Sequence, residues 1–472
     1  MKKKIIATAM AAATLSLGVF SGCFLTKVSV TSIEKTETIG LVDYYTVTYS
    51  DGTTSQFTVT NGKNGTDGKD GENAQPVTVE DVYAKYKEEY GEQLTFAEFC
   101  EKFISTGGND TAALNSLLRS CLKVYTVFNE RTAGLVTSPV LYGGSGVVYK
   151  MDEDYTYFLT NFHVVYDEKA YGSSKISTEI SAYLYGSESK PMSNTAGTRF
   201  VYDDYAISCE YVGGSIAYDV AVIRAKTADV TAINPQVVPV TVNTGFNVGD
   251  NTYAVGNPDD GGISVTEGIV SVDSEYISLK IDSNLRNYRS IRTDTAITHG
   301  SSGGGLFNMQ GELIGLNNAG SEDITSMNYA IPASALVGVA DGILYYNLNA
   351  KVPTKKTYKT YLGVRSQSLN SRYVYDAANG TGEIVEEVTV STVEEGGLAA
   401  LLGLKEDDII TSLTINGKTR EVTRQFHISD ALLTARAGDT IKIGYKRGGK
   451  SYETAAKPVR GTDIKDVDEL NK

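Results

Sequence analysis

The spacing of apolar and polar positions changes several times along this chain, and each change marks a different kind of element. An apolar run, Ile5 to Phe20, stands behind Lys2-Lys-Lys4. A basic head, a short apolar core and a small-residue step to Cys23 predict a secretory signal peptide over 1–22, the run being short for a bilayer span. Period-two alternation then fills Thr36 to Thr60, where Tyr44-Tyr-Thr-Val-Thr-Tyr49 and Gln56-Phe-Thr-Val-Thr60 flank Ser50-Asp-Gly52 and predict a β-hairpin. Glycines at 62, 65, 68 and 71 follow at a collagen-like spacing, but the run is short and without proline, so 23–75 reads as a β module with a flexible spacer. Helical spacing takes over in 76–122: Val79 to Tyr90 ends at Gly91, Thr95-Phe-Ala-Glu98 is a capping box, and Asp110 caps a third helix through Leu122. From 123 to 350 the chain is short, glycine-punctuated strands rich in Val, Ile, Thr and Tyr. A further domain occupies 355–461, and 462–472 reads as a polar, mobile tail.

Composition narrows the setting. The 472 residues carry a net charge of −14, and removal of 1–22 takes away three lysines and no acid, giving −17. Such an acidic body argues against nucleic acid and against electrostatic adhesion to anionic lipid. Ser21-Gly22-Cys23 resembles a bacterial lipobox with Phe20 where Leu is usual, which implies lipid attachment at Cys23 and an extracytoplasmic body anchored to the membrane. Cys100, Cys121 and Cys209 remain, an odd number; at most one disulfide can form, with Cys100–Cys121 the pairing offered. No Cys/His cluster has metal-ligand spacing, so neither metal nor cofactor is expected.

Candidate chemistry centres on Thr298-His-Gly-Ser-Ser-Gly-Gly-Gly-Leu306. Glycines around Ser302 let the backbone turn sharply beside a substrate and leave the amides of Gly300 and Ser302 to hold an oxyanion. Alone, such a turn is more often a simple connection. But one of only three histidines, His163, lies in Leu159-Thr-Asn-Phe-His-Val-Val165, and Asp219 opens the apolar run Asp219-Val-Ala-Val-Ile223. A lone histidine on an apolar strand is usually a core residue, and an acid at a strand mouth usually a turn residue. Together the three make a nucleophile, a general base and an orienting carboxylate in the order His, Asp, Ser.

With Gly144-Ser-Gly-Val-Val148, Ala254-Val-Gly-Asn-Pro258, Val265-Thr-Glu-Gly-Ile-Val-Ser271, Gly311-Glu-Leu-Ile-Gly315 and Tyr329-Ala-Ile-Pro332 in the same order, the chain resembles HtrA-type (DegP-like) serine proteases over about half its length. That resemblance implies a mostly β protein: a trypsin-like double antiparallel β-barrel followed by a PDZ domain. Thr298-His299, Ser301 and Gly305 depart from the family's pattern and leave the oxyanion-hole geometry open. It also implies a specificity pocket of Ala296, Ile297, Tyr329, Ala330 and Ile331. With Ala296 where an Arg- or Lys-selective pocket has its acid, cleavage is expected after small or medium apolar residues. Tyr361-Leu362-Gly363-Val364 resembles a PDZ carboxylate-binding loop, which implies capture of C-terminal peptides by strand addition. The family's habits further imply unfolded or misfolded protein substrates and assembly into a homotrimer or larger homo-oligomer. The competing reading is a catalytically weak or inactive peptide-binding or chaperone protein on the cell surface, motivated by the altered loop. Asp294 is expected to be structural, His299 an exposed loop residue, and Ser187 to Thr198 an exposed insertion.

Overall fold

A computed structural model describes residues 30–39, 42–49, 54–60, 83–84, 87, 110–132, 135–187, 189–320, 326–348, 350–376 and 381–470. The signal peptide, Cys23, the glycine spacer, the capping box and Cys100 lie outside the described residues. Of the helix predicted over Val79–Tyr90, Tyr83, Ala84 and Lys87 are described and are helical. Two compact units divide the chain, Met1–Ser105 and Thr106–Lys472.

In the first unit β1 (Val30–Ile39), β2 (Val42–Tyr49) and β3 (Thr54–Thr60) form an antiparallel sheet in the order β1-β2-β3. The period-two pattern predicted β2 and β3; β1 adds a third strand by pairing Ile33 with Val47 and its neighbours in turn.

The second unit begins with α1 (Asp110–Leu118), which stops short of the predicted Leu122 because Cys121 already belongs to a strand. Leu117 and Leu118 are buried in the same core as the barrel strands, so this helix packs as part of the second unit. The first barrel takes β4 (Cys121–Thr132), β5 (Leu135–Met151), β6 (Tyr155–Thr160) and, after the single turn α2 (Phe162–Val165), β7 (Glu179–Leu184). A small exposed hairpin, β8 (Met192–Ser193) and β9 (Phe200–Val201), interrupts before β10 (Ile207–Ser215) and β11 (Val220–Lys226) close the barrel in the order β10-β11-β6-β5-β4-β7. After α3 (Thr227–Ile233), β12 (Asn251–Gly256), β13 (Ser264–Lys280), β14 (Leu285–Thr293), β15 (Gly305–Asn308), β16 (Leu313–Gly320) and β17 (Asn328–Pro332) close a second barrel, β12-β13-β14-β17-β16-β15. Each barrel is filled by inward side chains, Leu122, Val148, Phe158 and Ile223 in the first and Val270, Ile291, Leu306 and Ile314 in the second, none with measurable exposure.

The helix α4 (Ala333–Leu348) is apolar around most of its surface because it is enclosed. Leu336, Val339 and Ile343 pack with Val220 and Val222 of one barrel and Leu316 and Ile331 of the other. Beyond it come β18 (Tyr358–Thr360), β19 (Val364–Asp376), β20 (Thr381–Val393), α5 (Leu398–Leu402), β21 (Ile409–Ile415), β22 (Lys418–Glu421), α6 (Gln425–Thr434), β23 (Thr440–Arg447), β24 (Lys450–Glu453) and β25 (Lys457–Pro458). The sheet β19-β20-β21-β23-β24 buries its own core, with Val390, Leu398, Leu413 and Ile441 at its centre.

The predicted polar tail is a correction. Ile464–Asp466 form β26 against β18, and Val467–Leu470 form α7, with Val467 wholly buried in the core shared with α4. Ile464, Val467 and Leu470 punctuate an otherwise polar stretch, and of the three Val467 is the one fully buried. The predicted Cys100–Cys121 disulfide is also corrected: Cys121 is a buried free thiol whose Sγ donates to the Leu117 carbonyl at 3.3 Å.

Candidate active site

His163 and Asp219 are brought together by the ends of adjacent strands. β6 pairs with β11, and the chain leaves β6 through α2 just where it enters β11 from the Ser215–Asp219 turn. Asp219 Oδ1 accepts the His163 backbone N–H at 2.9 Å, and its Oδ2 lies 2.7 Å from the ring Nδ1. Asp219 is fully buried, while the His163 side chain keeps 33% exposure toward the cleft. Asp219 has φ 53°, a left-handed value, and its carbonyl accepts from Asn161 Nδ2 at 2.9 Å. Burial alone would lower the pKa of His163. The Asp219 charge and hydrogen bond outweigh it and hold the imidazole above its ordinary value.

Ser302 lies in the loop between β14 and β15, and the first barrel braces that loop. Ser145 of β5 donates its N–H to the Ser302 carbonyl and its Oγ to the Gly300 carbonyl, both at 2.8 Å. Ser145 Oγ also accepts the Asn257 N–H at 2.8 Å. Gly300 has φ 87°, and a Cβ there would strike the Asn257 carbonyl, so only glycine fits. The His299 carbonyl accepts from Asp259 N at 2.8 Å, which turns the Gly300 N–H to the opposite edge of that planar peptide. Neither the Gly300 nor the Ser302 amide donates a hydrogen bond among the described residues. Ser302 Oγ donates to the Asn318 carbonyl at 3.2 Å. His163 and Ser302 line one cleft of about 890 Å³.

The expected pocket residues come apart. Ile297 is buried against the second barrel's core and lines the cleft. Ala296 is exposed outside the cleft, its carbonyl accepting from Thr266 Oγ1. Tyr329 is half-buried opposite Arg292, and Ala330 and Ile331 are buried within the two cores. The physical reason is strand alternation: successive side chains of β17 point to opposite faces, Ala330 into the second barrel's core and Ile331 into the core shared with α4. Asn318, Ala319 and Gly320 at the end of β16 line the cleft instead, with Leu279 and Ile281 from the β13–β14 hairpin. The sequence held one signal for them: the apolar run of β16 breaks into small and polar residues at Asn317. His299 is exposed at the cleft, and Asp294 accepts from Ile269 N at 2.7 Å.

In the C-terminal sheet, Tyr361 N donates to Asp463 O, Leu362 O accepts from Ala399 N, and Gly363 (φ 75°) accepts from Glu394 N. Val364 opens the edge strand β19 opposite Val393. The Leu362 and Gly363 amides donate no hydrogen bond among the described residues. His427 lies on α6, half-buried, its pKa lowered first by burial. Among the described residues no group of three or more His, Cys, Asp or Glu is arranged to hold a metal ion.

A family model of the trypsin-like peptidase domain matches residues 144–316. Serine protease Do-like HtrA of Lactococcus lactis subsp. lactis is 28% identical over 331 residues, spanning 68% of this chain and 71% of that protein. Periplasmic serine endoprotease DegP of Escherichia coli is 29% identical over 315 residues, spanning 65% and 55%. A solved structure, HtrA-type protease AlgW with decapeptide, covers 76% of this chain and 98% of its own at 23% identity and TM-score 0.45. The chain is a trypsin-like serine endopeptidase. Its curated relatives are proteases of the HtrA and DegP type.

Proposed function

We propose that the chain is an extracytoplasmic endopeptidase, tethered through a lipid on Cys23, that cleaves unfolded or misfolded proteins after small or medium apolar residues. The observation that carries the catalytic reading is the double hold of Asp219 on His163, backbone and ring, at a cleft shared with Ser302. Asp219 keeps the ring's Nδ1 protonated, so Nε2 is the lone pair available to take the Ser302 proton. Ser302 then attacks the scissile carbonyl, and the amides of Gly300 and Ser302 stabilise the oxyanion. His163 returns the proton to the leaving amine, and water repeats the cycle on the acyl-enzyme. Ile297 and Ala319 give the cleft an apolar wall suited to small or medium apolar side chains, while Asp167, Glu168 and Asp282 line the same cleft.

The C-terminal sheet is read as a PDZ domain. Free amides at Leu362 and Gly363 beside the edge of β19 suit a C-terminal carboxylate and an added peptide strand. A relative's name places that protein in the periplasm, in keeping with an extracytoplasmic setting here. Among the described residues no helix is long and apolar enough to cross a membrane. Assembly into a trimer or larger oligomer is part of the same proposal, with no nucleic-acid partner.

One observation favours the second reading, a peptide-binding protein with little activity: Ser302 Oγ is engaged by the Asn318 carbonyl. The test compares residues 24–472 with Ser302→Ala on an unfolded protein substrate and on a serine-directed fluorophosphonate. Cleavage and labelling by the parent alone support the protease; a folded parent that does neither supports the second reading.

A further inference from the structure

The turn that presents Asp219 is held from the far end of the chain. A non-glycine residue at φ 53° keeps that conformation only when its surroundings fix it. Tyr288, buried in β14, donates its hydroxyl to the Ile216 carbonyl at 2.8 Å. Asp468 Oδ1 accepts from Ser215 Oγ at 2.6 Å and from the Ala217 N–H at 3.0 Å. These bonds fall on the residues just before Asp219. Asp468 is itself anchored: Val467 is wholly buried in the core that also holds Val212 and Val220, β26 pairs with β18, and Lys356 Nζ holds Asp466 Oδ2 at 2.5 Å. A charge-assisted bond between such an anchored carboxylate and a backbone N–H is directional as well as strong.

We propose that Asp468 is a positioning residue for the reaction: carried on the strap Ile464–Leu470, its carboxylate fixes the Ser215–Asp219 turn and thereby the aim of Asp219 at His163. The assignment rests on the triad reading above. Asp468 makes no contact with His163; it acts on where the Asp219 carboxylate points. Because Asp219 sustains the raised pKa of His163, loosening the turn lowers that pKa as well as the rate. The other titratable side chains at the cleft are Tyr142, Tyr166, Asp167, Glu168, Lys169, Lys280, Asp282 and His299; none lies on the strap, so substitution at 468 leaves them in place.

The test measures steady-state cleavage of an apolar peptide substrate by residues 24–472, with fold checked by circular dichroism. For Asp468→Ala the expected result is a kcat lower by roughly ten- to a hundredfold, the scale of a misplaced catalytic group, with KM little changed. The acid limb of its kcat/KM profile moves to lower pH. Asp468→Asn keeps Oδ1 as an acceptor and restores most of the rate. A folded Asp468→Ala with the parent's kcat and pH profile overturns the proposal, as does a loss of rate that only tracks the folded fraction. If Asp468→Ala fails to fold, Ser215→Ala, which removes one bond to Asp468, is read by the same two criteria. A parent that neither cleaves nor takes up fluorophosphonate overturns the catalytic reading, a result distinct from an active parent whose Asp468→Ala variant is unmoved.

Discussion

Asp219 has no exposure, a left-handed backbone and both carboxylate oxygens on His163, so replacing one oxygen should be felt directly. For Asp219→Asn the expected kcat falls by about four orders of magnitude with the fold retained, because the amide favours the wrong imidazole tautomer. The pH dependence has a definite sign. His163 works as a base only when neutral, and its pKa lies above the ordinary value, so activity falls as pH drops through a point above that value. A kcat/KM profile from pH 5 to 9 checks this; a midpoint below the ordinary histidine range contradicts it. Ile297 is the pocket residue that faces the cleft, and Ile297→Ala should shift cleavage toward larger apolar residues, read from product termini by mass spectrometry. The three proposed catalytic residues were legible because each breaks its surroundings: Ser302 within a glycine-rich turn, His163 inside an apolar stretch and Asp219 at the mouth of an apolar run. Ala330 and Ile331 misled because an apolar residue in such a motif can face either a cleft or a core, and only what packs on each face of β17 decides.

Among elements, the nucleophile loop is the most constrained. Gly300→Ala sets a Cβ on the Asn257 carbonyl and strains a φ of 87°, at a cost of about 1–3 kcal/mol. The displaced amide should lower kcat by roughly 10²–10³, measured against fluorophosphonate labelling to separate nucleophilicity from oxyanion support. Strand content could be read from short Gly-bounded Val, Ile and Thr runs, and the two-barrel arrangement was implied by the family resemblance. Element ends could not. α1 gives way to β4 near Cys121 because that residue's side chain is buried in the barrel seam, a tertiary fact with no local signature. The strap escaped for the same reason: Ile464, Val467 and Leu470 are scattered through a charged stretch, and their value lies in the partners they meet.

At the scale of the second unit, the barrels and the C-terminal sheet are joined by charge. Arg289 of β14 meets Asp430 of α6 at 2.5 Å with both side chains under 10% exposed, and Arg424 binds Asp273 of β13 at 2.7 Å. Removing one member of a buried pair leaves the other charged and unmatched. Asp430→Ala should therefore destabilise by about 3 kcal/mol, and adding Arg289→Met should return part of the loss, measured by denaturant titration. A single loss of that size with no recovery in the double variant would assign the effect to packing. Charge pairing between distant segments is invisible in one sequence, where Arg289 and Asp430 are simply two of 43 basic and 57 acidic residues.

Ser145 ties the nucleophile loop of one barrel to a strand of the other, while His163 and Asp219 belong wholly to that other barrel. The molecule is thus a coincidence device. When either barrel melts, the scissors come apart at once, and no half-folded form retains a partial blade. If the substrate class proposed above holds, a copy that loses either barrel would expose apolar strands of the kind its intact neighbours cut, and damage would turn an enzyme into a substrate.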